Sequence, residues 1–243
     1  MIFKNFIYAS GAMGLYGDGY FYHRFHKFPI FPFITKTITL NPKKGHPLAI
    51  IPTFHSVYNK VSLHNPGIDE WLNNIDQDKL KNNTISIYPS NQWELITMSL
   101  ILKDKIGYRP IKIEVNMSCP NMNGIYPKFD IPMIDGIQWW LKLNHKQDPN
   151  QYSTRNIEGI RLNSKPTALF GINCGVSGKK AQKTNWEYIW KYRKKFNISG
   201  CSWYDEHDIR YLVGSLGCKE ISIGSTIINN PKVVERLKNG IEI

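Results

Sequence analysis

The sequence predicts an α/β chain closed as a (β/α)8 TIM barrel with two reduced βα units, and three observations carry that expectation. Eight short apolar or alternating segments read as strands, and helical patterns separate most of them. The 243 residues match the roughly 250 that one such barrel takes. The fourth strand ends in a run of reactive side chains, KIEVNMSCPN from Lys112 to Asn121, where parallel α/β folds place their chemistry. One domain spanning residues 1–243 is expected.

Taken in order, the first strand is Phe6 to Ser10. It closes on Ala9, Ser10 and Gly11, small residues that let a flat ligand approach the backbone. Tyr20 to Phe28, YFYHRFHKF, is aromatic and basic. His23 and His26 would share one helical face, but no third ligand accompanies them, so helix packing rather than metal binding is expected. Phe31 to Thr39, FPFITKTIT, is the second strand. Its Lys36 is costly to bury without an anionic partner and is expected to face a ligand or a polar cluster. Asn59 to Gly67, NKVSLHNPG, has no clean period. Two readings stand there: a loop that holds something polar, and a plain connection whose asparagines cap turns.

Thr84 to Pro89 is the third strand, followed by a helix from Asn91 to Lys105 with Trp93, Leu95, Ile96, Leu100 and Ile101 toward one face. In the fourth strand Ile111, Ile113 and Val115 alternate with Lys112, Glu114 and Asn116. Beyond it Ser118, Cys119, Pro120 and Asn121 present a hydroxyl, a thiol and a carboxamide, and the proline ends the ladder. Alone, Cys119 reads first as a small buried hydrophobe. Ile137 to Leu143 is the fifth strand and Ile157 to Ser164 the sixth, delivering Asn163 and Ser164 at its end. A helix from Asn185 to Lys195 leads to the seventh strand, Ile198 to Ser202. A helix from Glu206 to Leu216, a strand from Glu220 to Thr226 and a helix from Pro231 complete the chain. The connections 121–137 and 143–157 are too short and proline-rich for full helices, which defines the two reduced units.

Thirty-one Lys and Arg against 19 Asp and Glu give a net charge of +12, which favours anionic ligands. The densest basic run, Lys191 to Lys195, lies in a helical segment and reads as a solvated face; no motif that reads a nucleic-acid groove is present. Cys119, Cys174, Cys201 and Cys218 have no CxxC spacing, which argues against a zinc site and a disulfide framework and fits a reducing, cytoplasmic location. No run approaches the ~20 apolar residues that span a bilayer, and the N-terminus lacks a convincing signal peptide.

Six segments, TKTITLNPKKGHPL, NKVSLHNPG, EVNMSCPN, RLNS, CGVSGK and SIGSTI, occur in an order and spacing that resembles the dihydroorotate dehydrogenases, class 1 in particular, over nearly the whole chain. The resemblance implies FMN-dependent oxidation of dihydroorotate to orotate in pyrimidine biosynthesis. It implies that Cys119 takes a proton from carbon 5 while a hydride leaves carbon 6 for the flavin. By position it assigns Lys36, Asn59, Leu63, Asn116, Asn121, Asn163 and Ser164 to the substrate. It assigns Ser10, Lys36, Thr37 and Asn116 to the flavin ring, and Gly178, Gly224 and Ser225 to its ribityl and phosphate end. Lys142 resembles the strand lysine beside the flavin's pyrimidine edge, though a second placement, aligning Tyr126 to Asp130 beyond that lysine, leaves the position empty. The partners implied are a small-molecule substrate and a second copy in a homodimer, with no membrane and no nucleic acid.

The chain also departs from that pattern. Lys60, Ser62 and His64 stand in the asparagine loop where serine, glycine and proline are usual, and Ser202 and Trp203 replace a glycine pair that lets backbone amides wrap the phosphate. These departures and the reduced units keep open a flavin-free barrel acting as a binding or scaffold protein; the N-x-x-C-P setting of Cys119 and the charge of +12 keep open a flavin reductase resembling the tRNA-dihydrouridine synthases.

Overall fold

The computed structural model of the protein describes residues 1–45, 50–60, 63–118, 130–152 and 156–243. Strands β1 (Ile2–Phe3) and β2 (Phe6–Tyr8) open the chain, followed by a 3-10 turn at Phe21–Phe25 and strands β3 (Ile50–Pro52) and β4 (Ser56–Asn59). Helix α1 (Ile68–Asn74) leads to β5 (Thr84–Ile87), α2 (Gln92–Lys105), β6 (Ile111–Asn116), β7 (Ile137–Leu143) and β8 (Ile157–Leu162). Strands β9 (Lys165–Leu169) and β10 (Ile172–Gly178) form a hairpin that feeds α3 (Lys179–Tyr192). Then come α4 (Glu206–Arg210), β11 (Ile221–Ile223), α5 (Thr226–Asn229), α6 (Pro231–Arg236) and β12 (Ile241–Glu242).

The ring closes. β5, β6, β7 and β8 pair in parallel in chain order, and β11 pairs in parallel with β2. Parallel bridges fill the gaps, from Tyr8 to Phe33, Ile34 to Thr84, Ile160 to Ile198 and Gly200 to Ile221. Each of the eight expected strands therefore has a parallel neighbour on both sides, and the barrel presents no free edge. The second and seventh members are held only by such single bridges, and Pro32 in the second has no N–H to lend a ladder.

Register turns the alternation of the sequence into layers. Ser86, Glu114 and Trp140 stand side by side across β5, β6 and β7, as do Asn116, Lys142 and Arg161 across β6, β7 and β8. Side chains one residue away, including Ile85, Ile113, Val115, Leu141 and Ile160, point to the opposite face and join one apolar cluster with the helices. Each such residue, fully buried, contributes about 1.5–3 kcal/mol over leaving it in water. The inside of the barrel is accordingly polar at its reactive end, and the apolar core lies between strands and helices.

Several local expectations change. Two stripes of α2 have the i, i+3, i+7 spacing; Leu95, Met98 and Leu102 are buried, whereas Trp93, Ile96 and Leu100 are exposed. Periodicity alone cannot choose between such stripes. Helix α3 begins at Lys179, six residues before the expected Asn185, and buries Ala181, Asn185, Tyr188, Ile189 and Tyr192. The expected helix over 206–216 is α4 followed by a π-helical turn at Tyr211–Ser215. His23 and His26 do not converge: Tyr20 N–H donates to His23 Nδ1 at 2.8 Å, while His26 Nδ1 lies 3.0 Å from Glu235. Among its described residues the 143–157 connection holds only a 3-10 turn at Pro149–Gln151, and the described residues 130–136 of the other reduced unit hold no helix.

A four-stranded antiparallel sheet, in the order β3, β4, β10, β9, was not expected at all. Asn59, assigned to a loop, ends β4 and pairs with Gly175 of β10. INCGVSG carries neither alternation nor a β-branched run, so its strand character comes from its two neighbours.

Candidate active site

A cavity of about 270 Å³ lies at the carboxyl ends of the barrel strands, with β4 and β10 at its rim. Of the residues assigned to the substrate, Lys36, Asn59, Leu63, Asn116, Asn163 and Ser164 all line it. Lys36 comes from the irregular second strand, and among the described residues its ammonium has no carboxylate or hydrogen-bond partner. Burial holds its pKa below the usual 10.5. Asn163 donates to the carbonyl oxygen of Ser118 at 3.1 Å and, more weakly, to Asn116 Oδ1 at 3.4 Å. It thereby anchors the chain at the residue preceding Cys119. Ser118 is also tied down, its hydroxyl donating to the Lys142 carbonyl at 3.1 Å. Cys119 and Asn121 lie outside the described residues.

Asn59 and Ser164 meet over Gly175. A Cβ built there would fall 2.2 Å from Ser164 Oγ and 3.2 Å from Asn59 Oδ1, so only glycine admits both side chains. Gly175→Ala is expected to lose about 1–3 kcal/mol of stability through overpacking, measured as the drop in urea midpoint at constant m-value, and to weaken any ligand held by those two groups.

The floor is a ladder of hydroxyls and amides. Ser10 Oγ donates to the Thr35 carbonyl and meets Thr37 Oγ1 at 3.3 Å, which in turn lies 2.9 Å from Ser86 Oγ. Asn116 donates to Thr37 Oγ1 at 3.2 Å. Lys142 stands beside Asn116 in register and lines the cavity; Tyr126 to Phe129 of the other placement lie outside the described residues.

Beneath Lys142 runs an ion network that sequence reasoning missed. Glu114 is fully buried, accepts from Ser86 Oγ at 2.9 Å, and lies 3.7 Å from both Lys142 and Arg161. Arg161 binds Glu220 through two hydrogen bonds of 3.0 Å and stacks on the Trp140 ring. Two cations thus face two carboxylates inside the barrel. The signal was present in part: Glu114 shares the inward parity of Asn116, and Arg161 that of Asn163. Glu220, at the start of its strand, had no pattern to mark it.

At the far end, Gly224 and Ser225 line the cavity. Gly178 sits beside them with a left-handed φ of +82°; a Cβ there would come 2.5 Å from the His55 carbonyl and 3.3 Å from Ser225 Oγ. Ser202 also takes a left-handed φ, +60°, so the backbone keeps a turn natural to glycine although the residue is not one. The Trp203 indole, 1% exposed, forms part of the wall and donates to the Ser222 carbonyl at 2.8 Å. Cys201 borders the same end, but burial pushes its thiol up to about 11, so it stays protonated at neutral pH and is unsuited to act as a base.

An unpartnered cation, a hydroxyl ladder and the small residues Gly224 and Ser225 at the far end fit an anionic ligand, whereas Gly178 is not among the lining residues and faces the His55 carbonyl. No helix among the described residues is long and apolar enough to cross a membrane.

Comparison with known proteins agrees in kind. Residues 1–129 match the family model described as dihydroorotate dehydrogenase. The chain is 32% identical, over 93% of its length and 84% of the relative's, to the catalytic subunit of dihydroorotate dehydrogenase B (NAD(+)) from Methanocaldococcus jannaschii. It is 23% identical, over 84% of its length and 85% of the relative's, to the protein of the same name from Thermotoga maritima. A ligand-free dihydroorotate dehydrogenase from Eimeria tenella shares the fold with a TM-score of 0.63 at 12% identity, covering 85% of this chain and 75% of that one. With a closed ring of eight strands, a polar cavity at its carboxyl rim and a relative this similar over nearly its full length, the chain belongs to the dihydroorotate dehydrogenase family.

Proposed function

We propose that the protein oxidises dihydroorotate to orotate with FMN as its cofactor. The observation that carries this reading is Lys36, a partly buried cation without a carboxylate partner among the described residues, in a cavity also lined by carboxamides and hydroxyls, whose other cations, Lys142 and Arg161, lie against Glu114. The substrate is a carboxylate on a ring of amide donors and acceptors, and its complement is one cation with several carboxamides. Lys36, Asn59, Asn116, Asn163 and Ser164 supply that set with Asn121, and Leu63 gives an apolar wall. Ser10, Lys36, Thr37, Asn116 and Lys142 would hold the flavin ring, and Gly178, Gly224 and Ser225 its tail.

When bound, FMN supplies the acceptor for the hydride lost from carbon 6. The residues of the chain do the rest. Cys119 takes the proton from carbon 5, and the electron pair left behind becomes the ring double bond as carbon 6 gives up its hydride. Asn163 holds the chain at the residue before Cys119 through the Ser118 carbonyl, and the carboxamides hold the ring in one orientation.

The test is spectroscopic. Protein loaded with FMN is expected to be yellow and to bleach on anaerobic addition of dihydroorotate. Cys119→Ser should slow the bleaching by about 10²-fold or more, the usual contribution of a positioned base. Protein that stays colourless after exposure to excess FMN would exclude this function.

A further inference from the structure

At the tail end of the cavity stands a polar pair with unmet hydrogen-bonding capacity. Asn185 lies on the buried stripe of α3 between Ala181 and Tyr188 and is 2% exposed. Its Nδ2 donates to Ser202 Oγ at 2.8 Å, while its Oδ1 is buried without a partner. Both residues line the cavity. A carboxamide placed on an apolar stripe with an idle acceptor is unfavourable unless something supplies a donor. Ser202 is only weakly satisfied as well. Its oxygen accepts from Asn185, and its O–H donates to the Cys201 sulfur at a long 3.9 Å, a poor acceptor that Asn185 Nδ2 also reaches at 3.6 Å. The pair is held rigid: the Trp186 indole, one residue along α3, donates to the Cys201 carbonyl at 2.9 Å, clamping the helix to the turn that carries Ser202.

An idle acceptor beside an O–H donor that has only a long bond to sulfur suits a group that offers a hydroxyl and an anionic oxygen together. We propose that Asn185 and Ser202 recognise the polyol phosphate tail of the cavity's ligand, Asn185 Oδ1 accepting from a tail hydroxyl and the Ser202 hydroxyl donating to a phosphate oxygen. This rests on the FMN reading above, whose ribityl phosphate is such a tail. It also accounts for a serine at a left-handed position where glycine would be unstrained: the hydroxyl is used.

The experiment titrates FMN, riboflavin and ribitol 5-phosphate into the full chain and its Asn185→Ala and Ser202→Gly variants. Asn185→Ala is expected to weaken FMN and riboflavin alike by about tenfold, since both carry the hydroxyl. Ser202→Gly is expected to weaken FMN by about tenfold and leave riboflavin unchanged, since only FMN carries the phosphate. Ser202→Gly relieves the left-handed backbone but removes the acceptor of Asn185 Nδ2, so a thermal melt of each variant accompanies the titrations. Unchanged FMN affinity in either variant overturns the pair. If the wild-type chain takes up no FMN, the oxidoreductase reading fails, and ribitol 5-phosphate decides the pair separately. Binding to wild type that both variants lose sustains it, and no binding overturns it.

Discussion

Lys36→Met is expected to weaken orotate binding at least 100-fold, about 2.7 kcal/mol, while leaving the melting temperature unchanged or higher. The two halves have one cause. A partly buried ammonium with no carboxylate partner among the described residues is desolvated without recompense, so the fold gains nothing from its charge, whereas an anionic ligand gains its counter-ion. Isothermal titration of orotate into wild type and variant measures the first half, and a thermal melt the second. A variant that binds orotate as tightly as wild type would remove Lys36 from the site.

The same lysine gives a pH dependence whose sign can be worked out. Burial holds its folded pKa below 10.5, so between the folded and unfolded values the unfolded chain binds more protons, and this group's contribution to stability rises with pH through that window. Affinity for an anion runs the opposite way. The ligand favours the charged form, so binding takes up protons and weakens as pH climbs through the lowered pKa. Orotate affinity should therefore start to fall before pH 10.5, and Lys36→Met should flatten that limb.

The second large effect is on stability. Arg161→Ala is expected to cost about 3–5 kcal/mol, a fall in melting temperature of roughly 6–20 °C for a chain of this size. Arg161 and Lys142 balance Glu114 and Glu220, and the side chains of Arg161, Glu114 and Glu220 are 4%, 0% and 11% exposed. Removing the guanidinium leaves two carboxylates against one ammonium in the barrel, and strips Glu220 of two hydrogen bonds. The penalty is that of an uncompensated charge rather than the worth of the pair. Arg161→Met combined with Glu220→Leu should accordingly recover much of the loss, a coupling of roughly 0.5–3 kcal/mol in a double-mutant cycle. A melt unchanged by Arg161→Ala would mean that water reaches and solvates the network.

The sequence by itself determined the ring and most of the candidate site. Strands announce themselves by parity: Ile111, Ile113 and Val115 against Lys112, Glu114 and Asn116 state which side of β6 meets helices and which meets the interior. Lys36 is legible because a lysine between isoleucines is unfavourable unless something anionic meets it, and Asn163 and Ser164 because they follow directly on an apolar strand. Only the tertiary structure decided what depends on residues distant in the chain. The bond of Asn185 to Ser202, the crossing of Arg161 to Glu220 and the meeting of Asn59 with Ser164 over Gly175 join positions 17, 59 and 105 residues apart, and neither period nor spacing records such pairs. The antiparallel sheet over the barrel mouth was hidden for a related reason. Its central segment, INCGVSG, has weak strand preference of its own and is held extended by its hairpin neighbour β9 on one side and, on the other, by β4, a partner more than a hundred residues away that only the tertiary fold brings alongside.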